Sequence, residues 1–182
     1  MRPGTNQAHV TLQHVPQLRQ FVEAEFSQHG ANPRDPRIIR NLEKGTAALI
    51  AHAQTLFLPV GIGHHGEPGV EVTDLKSADE IAKLSLDLIL PDLPFRSGDD
   101  VVVLVSGLGA TPVMELYIAF NKVFDVLKDS GINVYRSYVG NYFTSLEMMG
   151  ITITLMKVDD ELKRLVDLEC ESTGLTQLQR NG

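Results

Sequence analysis

From residue 70 onward the chain alternates helix-like and strand-like segments, and this order constrains the fold more than any other feature of the sequence. Ser77 and Glu80, three residues apart, form a capping box ahead of a helix carrying Ile81, Leu84, Leu88 and Ile89. Pro91 and Pro94 are expected to end that helix. A turn at 97–100 leads into VVVLV, 101–105, a β-branched run that reads as a strand buried on both faces. SGLGATP then opens a helix to about residue 129, with Leu116, Phe120, Val123 and Leu127 inward and Gly131 closing it. INVYRSYV reads as the next strand, and Thr144 with Glu147 as a second capping box on a short turn of helix stopped by Gly150. ITITLMK, 151–157, alternates as a strand should, and Asp159 caps a last helix with Leu162, Leu165 and Val166. The expectation is an α/β layered domain with a mostly parallel or mixed sheet flanked by helices. Ligands of such sheets bind at strand carboxyl ends, which directs attention to the loops after VVVLV and INVYRSYV.

The first part of the chain is less regular. Residues 1–14 read as extended or disordered. A helix is expected over 16–29, with Leu18, Phe21, Val22 and Phe26 on one face, and a shorter one after Asp35 and Pro36 with Ile38, Ile39 and Leu42. Residues 46–58 are apolar and fit helix or strand. Residues 1–57 carry a net charge of +2 and the remainder −9, and four of the six histidines precede residue 58. That shift suggests two parts: a mainly helical segment, 1–57, of unknown role, and an α/β domain, 58–182.

A chain of 182 residues with 43% hydrophobic content is sized for one domain with a real core. A formal charge of −7 argues against a nucleic-acid or anionic-membrane binder and for a protein that handles small molecules. Cys170 is the only cysteine, which leaves no disulfide framework and no thiolate metal site. The N-terminus lacks the apolar core of a signal peptide and no run is long enough to span a membrane, so a cytoplasmic location is expected.

Three stretches are candidates for chemistry. In GIGHHGEPG, 61–69, glycines flank two histidines and a glutamate. Imidazole is readily poised near neutral pH as base, acid or nucleophile, and Gly61, Gly63 and Gly66 would remove side chains that block its approach to a target. Glu67 can fix the imidazole tautomer by accepting a hydrogen bond. A surface turn with incidental histidines fits the spacing as well, while two adjacent histidines and one glutamate make a poor metal set. SGLGATP, 106–112, follows a strand and opens a helix, where N–H groups favour an anion. It lacks the third glycine of the dinucleotide fingerprint, and a strand-to-helix turn capped by Thr111 and Pro112 accounts for most of it. The polar stretch 136–150 brings Tyr138, Asn141, Tyr142 and Glu147 near a strand end, where packing and the second capping box suffice to explain them.

Taken together and in this order, GIGHHGEPG, LKSADEIA, SGDDVVVLVSGLGATPVMELY and GINVYRSYVGNYFTSLEMMGITITLMKVDDEL resemble the C-terminal domain of the dihydroxyacetone (glycerone) kinase K subunit, over about residues 60–178. The resemblance implies that His65 is the nitrogen nucleophile that holds dihydroxyacetone as a covalent hemiaminal, with Gly61, Gly63, Gly66 and Glu67 shaping the substrate site and His64 secondary. It implies a phosphotransferase subunit of glycerol and dihydroxyacetone metabolism that acts with a partner L subunit and forms a homodimer. No cofactor is assigned to this chain: the phosphoryl donor, ATP with magnesium or a phosphotransferase-system protein, is expected on the L subunit. In the family an N-terminal domain supplies an acid/base Asp and His, and no residue of 1–57 is assigned to those roles. A dihydroxyacetone-sensing co-activator and a truncated, inactive fragment are therefore the alternatives to a working kinase subunit.

Overall fold

The computed structural model describes residues 46–53, 57–61 and 69–178. The two helices expected before residue 45 lie outside the described residues. The stretch at 46–58, ambiguous in sequence, is extended: β1 spans Thr46–Ala53 and β2 spans Phe57–Val60. The chain continues through β3 (Glu71–Asp74), α1 (Ala78–Asp92), β4 (Asp100–Gly107), α2 (Val113–Asp129), β5 (Asn133–Gly140), β6 (Met149–Val158) and α3 (Asp160–Val166). A short hairpin, β7 (Cys170–Glu171) with β8 (Thr176–Gln177), follows.

The main sheet has six strands in the order β3-β2-β1-β6-β4-β5. It is mixed: β4–β5 is parallel and the other four pairings are antiparallel. Of the strands that are consecutive in the chain and also neighbours in the sheet, only β4 and β5 have a helix between them, and parallel neighbours require such a crossover. Eight residues join β5 to β6, too few for such a return, so β6 comes back antiparallel between β4 and β1. The pairing of β1 with β6 runs from Thr46↔Met156 to Ala53↔Met149. This part of the 1–57 segment is thus built into the same sheet as the region that follows it.

The VVVLV run behaves as its composition demands. Val101, Val103 and Val105 face α1 and α2, joining a core with Ile153, Leu155, Leu86, Leu116, Val123 and Leu127. Val102 packs with Val158, Leu162 and Leu165 in a smaller cluster that includes α3. Burying each such side chain contributes about 1.5–3 kcal/mol, whereas an exposed pair such as Lys83–Asp87 contributes about 1 kcal/mol at most, so apolar burial dominates.

The helix ends follow local chemistry, with two corrections. Ser77 accepts from the Glu80 N–H, the Glu80 carboxylate accepts from the Ser77 N–H at 2.9 Å, and α1 starts there as expected. Pro91, however, sits inside the last turn rather than ending the helix. A missing N–H costs little so close to the terminus, and the extended backbone of Leu93 before Pro94 makes the stop. The second capping box does not form a helix, because residues 141–148 are spent on contacts with the loop after β4. Asp159 caps α3 by accepting from the Leu162 N–H at 2.9 Å. No described helix is long and apolar enough to cross a membrane.

Candidate functional site

The three candidate stretches meet the sheet at one level. Val60, the last residue of β2, is opposite Ala51; Ala51 is opposite Ile151, and Ile151 opposite Gly107, the last residue of β4. On β5, Gly140 is the partner of Ser106. The histidine loop therefore departs from the same row as the SGLGATP loop and the 141–148 connection. Val60 and Gly107 are three strand spacings apart, about 14 Å.

The neck of the histidine loop is closed. The Val70 N–H donates to the Val60 carbonyl at 2.8 Å. Gly61 takes φ +71, and a Cβ there would stand 2.8 Å from Val70 Cγ2. A side chain at this position would meet both backbone strain and the Val70 methyl, which is why the loop begins with glycine. Gly63, His64, His65, Gly66 and Glu67 lie outside the described residues, so of the residues assigned to the substrate site only Gly61 is placed.

The SGLGATP loop is stitched to the connection between β5 and β6. The Leu108 N–H donates to the Gly150 carbonyl at 3.1 Å and the Ala110 N–H to the Met148 carbonyl at 3.2 Å. The Ser145 hydroxyl donates to the Leu108 carbonyl at 2.6 Å. Buried Ser106 donates to the Phe143 carbonyl and accepts from the N–H groups of Tyr142 and Phe143, at 2.8–3.0 Å, which fills its hydrogen-bonding capacity. Thr111 does not cap α2, as its position suggested. Its hydroxyl donates to the Gly150 carbonyl and accepts from the Gly150 N–H, both at 2.8 Å, and Pro112 holds the N-cap position without a side-chain cap. With the Leu108 and Ala110 N–H groups committed to Gly150 of β6 and Met148 just before it, the loop is a brace rather than an anion cradle.

Tyr138, Asn141 and Tyr142 do gather at this end. Tyr138 and Tyr142 stack edge to face at 6.1 Å. Burial, with Tyr117 of α2 beside it, pushes the Tyr142 hydroxyl up, and burial also raises Tyr138 against the opposing pull of Arg136. Both phenols stay protonated at neutral pH and are available as donors. Tyr138 donates to Gln177 at 2.7 Å, and Arg136 pairs with Asp167 at 2.7 Å, so the polar ends of these two side chains hold the C-terminal segment. Glu147 is exposed on the connection. Nothing in the sequence marks the roles of the Ser106, Thr111 and Ser145 hydroxyls, because their partners are 36–39 residues away. Among the described residues no group of three or more His, Cys, Asp or Glu side chains is placed to hold a metal.

A sheet of this order, with one βαβ unit and braced loops at its carboxyl ends, defines an α/β domain of the kind that presents a small-molecule site on its loops. Residues 11–174 match the Dak1 domain, and the chain belongs to the Dak1 family. The match includes residues 11–57, which the sequence resemblance had left out. A dihydroxyacetone-binding subunit, DhaK, of a PTS-dependent dihydroxyacetone kinase of Listeria innocua is 40% identical over 115 residues, covering 63% of this chain and 35% of the subunit. The chain thus spans about a third of the length of this relative. A solved structure concerning regulation of the dha operon of Lactococcus lactis superposes with a TM-score of 0.74 at 27% identity, covering 84% of this chain and 49% of its own. The dihydroxyacetone kinase of C. freundii shares the fold, with a TM-score of 0.66 at 20% identity over 90% of this chain and 35% of its own.

Proposed function

We propose that this chain is the dihydroxyacetone-binding part of a dihydroxyacetone kinase, holding its substrate through His65 for phosphorylation to dihydroxyacetone phosphate. The observation that carries the reading is the 40% identity to a dihydroxyacetone-binding subunit, within a Dak1 match that spans the histidine loop. In the proposed step the imidazole nitrogen of His65 forms a bond to the carbonyl carbon. The carbonyl π pair becomes a hydroxyl on taking up a proton, and the ring gives up its N–H proton. Glu67 accepts a hydrogen bond from the ring and sets which nitrogen attacks. Only ketones and aldehydes can form this hemiaminal, so glycerol is rejected by chemistry rather than by shape. The bond also fixes the hydroxyl that receives the phosphoryl group, and positioning is the main demand of such a transfer.

The phosphoryl donor, ATP with magnesium or a phosphotransferase-system protein, is proposed to reside on an L-type partner, and the assembly to work in the cytoplasm on glycerol-derived dihydroxyacetone. The test is intact-protein mass spectrometry after incubation with dihydroxyacetone under native ionisation. One substrate mass should be added, be lost in His65→Ala and largely persist in His64→Ala. Equal loss in both variants would remove His65 from the role. The likeness to the dha-operon structure supports a second reading, a dihydroxyacetone sensor that binds substrate without turnover. Adding an L subunit and donor separates the two: dihydroxyacetone phosphate forms only if the chain is a kinase component.

A further inference from the structure

We propose that residues 168–178 form a releasable strap, that the side chain of Gln177 is its fastening, and that the fastened strap holds the 141–148 connection in place through Tyr138 and Tyr142. The strap contributes little apolar burial of its own. Cys170 is buried, Leu168, Leu175 and Gln177 are half-buried, and its other residues are exposed. Among the described residues β7 and β8 pair only with each other, as Cys170↔Gln177 and Glu171↔Thr176. A hairpin of that size does not stand alone in water, so the strap keeps its shape only while the body of the domain holds it. Segments with so few apolar contacts are the ones that open locally.

The polar hold on the strap converges on Gln177. Its Nε2 donates to the carbonyls of Val166 and Leu168, both at 2.7 Å, and so closes the end of α3. Its Oε1 accepts from Arg136 Nη1 at 2.5 Å and from the Tyr138 hydroxyl at 2.7 Å. A primary amide has two N–H donors and an oxygen with two lone pairs, so every bond this side chain can make is made. One residue thus ties the strap to both α3 and β5. The same contact reaches the loop end of the sheet. Tyr138 is pinned at its hydroxyl by Gln177, while its ring meets that of Tyr142 edge to face. The Tyr142 ring lies over Gly140, where an added Cβ would stand 3.1 Å from Cε2, and the Tyr142 N–H donates to buried Ser106. With the strap lifted, Tyr138 loses its hydroxyl partner and Tyr142 loses a fixed surface to pack on. Gln177 is therefore a positioning residue for the connection, and the proposal does not depend on the kinase reading.

Thiol labelling and amide hydrogen exchange of the full chain test it. Cys170 is the only cysteine, and it is buried beside Tyr138, so its reaction with N-ethylmaleimide reports the opening of the strap. Gln177→Ala should raise the labelling rate by at least about thirtyfold, because it strips the partner from two donors and two carbonyls at once. Gln177→Met, of similar length but unable to make these bonds, should act in the same way. In both variants exchange should quicken over 141–148 and keep the parent rate over α1. Tyr138→Phe keeps the ring and removes the link. In that background Gln177→Ala should still expose Cys170 but add nothing further to exchange over 141–148. Cys170 as protected in both Gln177 variants as in the parent, unchanged exchange over 141–148, or exchange that quickens equally over α1 would each overturn the proposal. So would a further quickening over 141–148 in the Tyr138→Phe background, since the connection would then respond by another route.

Discussion

At the scale of single residues the tightest constraint is at Gly109. It takes φ +101, and a Cβ there would stand 2.3 Å from the Ser145 carbonyl oxygen and 2.7 Å from that of Leu146. Both obstacles are backbone, so neither can swing aside as the Val70 methyl at Gly61 can. Gly109→Ala should cost at least about 2 kcal/mol, from left-handed strain and displacement of the connection together. Urea denaturation measures this, and a midpoint within error of the parent would mean the loop relaxes freely. The glycines of SGLGATP were visible in the sequence, but their reason was not. By sequence they fit an anion cradle or a simple turn; in the structure they are the close-approach points of a brace. Nothing local to Ser106 or Thr111 foretells that their hydroxyls bond to Phe143 and Gly150.

At the scale of elements, the same four-residue signal has two outcomes. Ser77 with Glu80 makes a capping box and α1 follows; Thr144 with Glu147 does not. The first precedes a long apolar-faced segment that packs on the sheet. The second sits in an eight-residue connection in which backbone groups of Tyr142, Phe143 and Met148 pair with Ser106, Leu108 and Ala110. Ser77→Ala should remove about 1 kcal/mol, lowering the melting temperature by about 2–4 °C. The effect depends on pH. Hydrogen bonds from the Ser77 hydroxyl, then from its backbone N–H, hold the Glu80 carboxyl below its ordinary value. A carboxyl lowered on folding contributes fully above its unfolded value and loses that contribution as pH falls through the folded one. The gap between Ser77→Ala and the parent should therefore narrow on the acid side of the carboxylate range. A gap constant from neutral pH to about pH 3 would assign the whole effect to the Glu80 N–H bond. VVVLV, ITITLMK and the capped helices were legible because periodicity and caps are local. The mixed sheet was not settled by them, since pairing direction is decided by the lengths of the connections.

At the scale of the whole molecule, the change of composition near residue 57 suggested two separate parts, yet β1 occupies an interior place in the sheet between β2 and β6. A chain beginning at residue 58 would expose eight paired positions of β6. Such a chain should lose the cooperative thermal transition seen by circular dichroism. An unchanged transition would show that β1 is dispensable. The location of β6 has a consequence for how the protein is made. The strands β1 to β3 and the β4–α2–β5 unit both precede it in the chain, and each borders β6 in the finished sheet. The strand that joins them is encoded by residues 149–158, so neither half is closed until nearly all of the described chain has been synthesised. Translation that stalls just before this strand releases two sticky edges from one polypeptide, and the nascent chain then depends on chaperones more than a protein of this size whose sheet grows in sequence order.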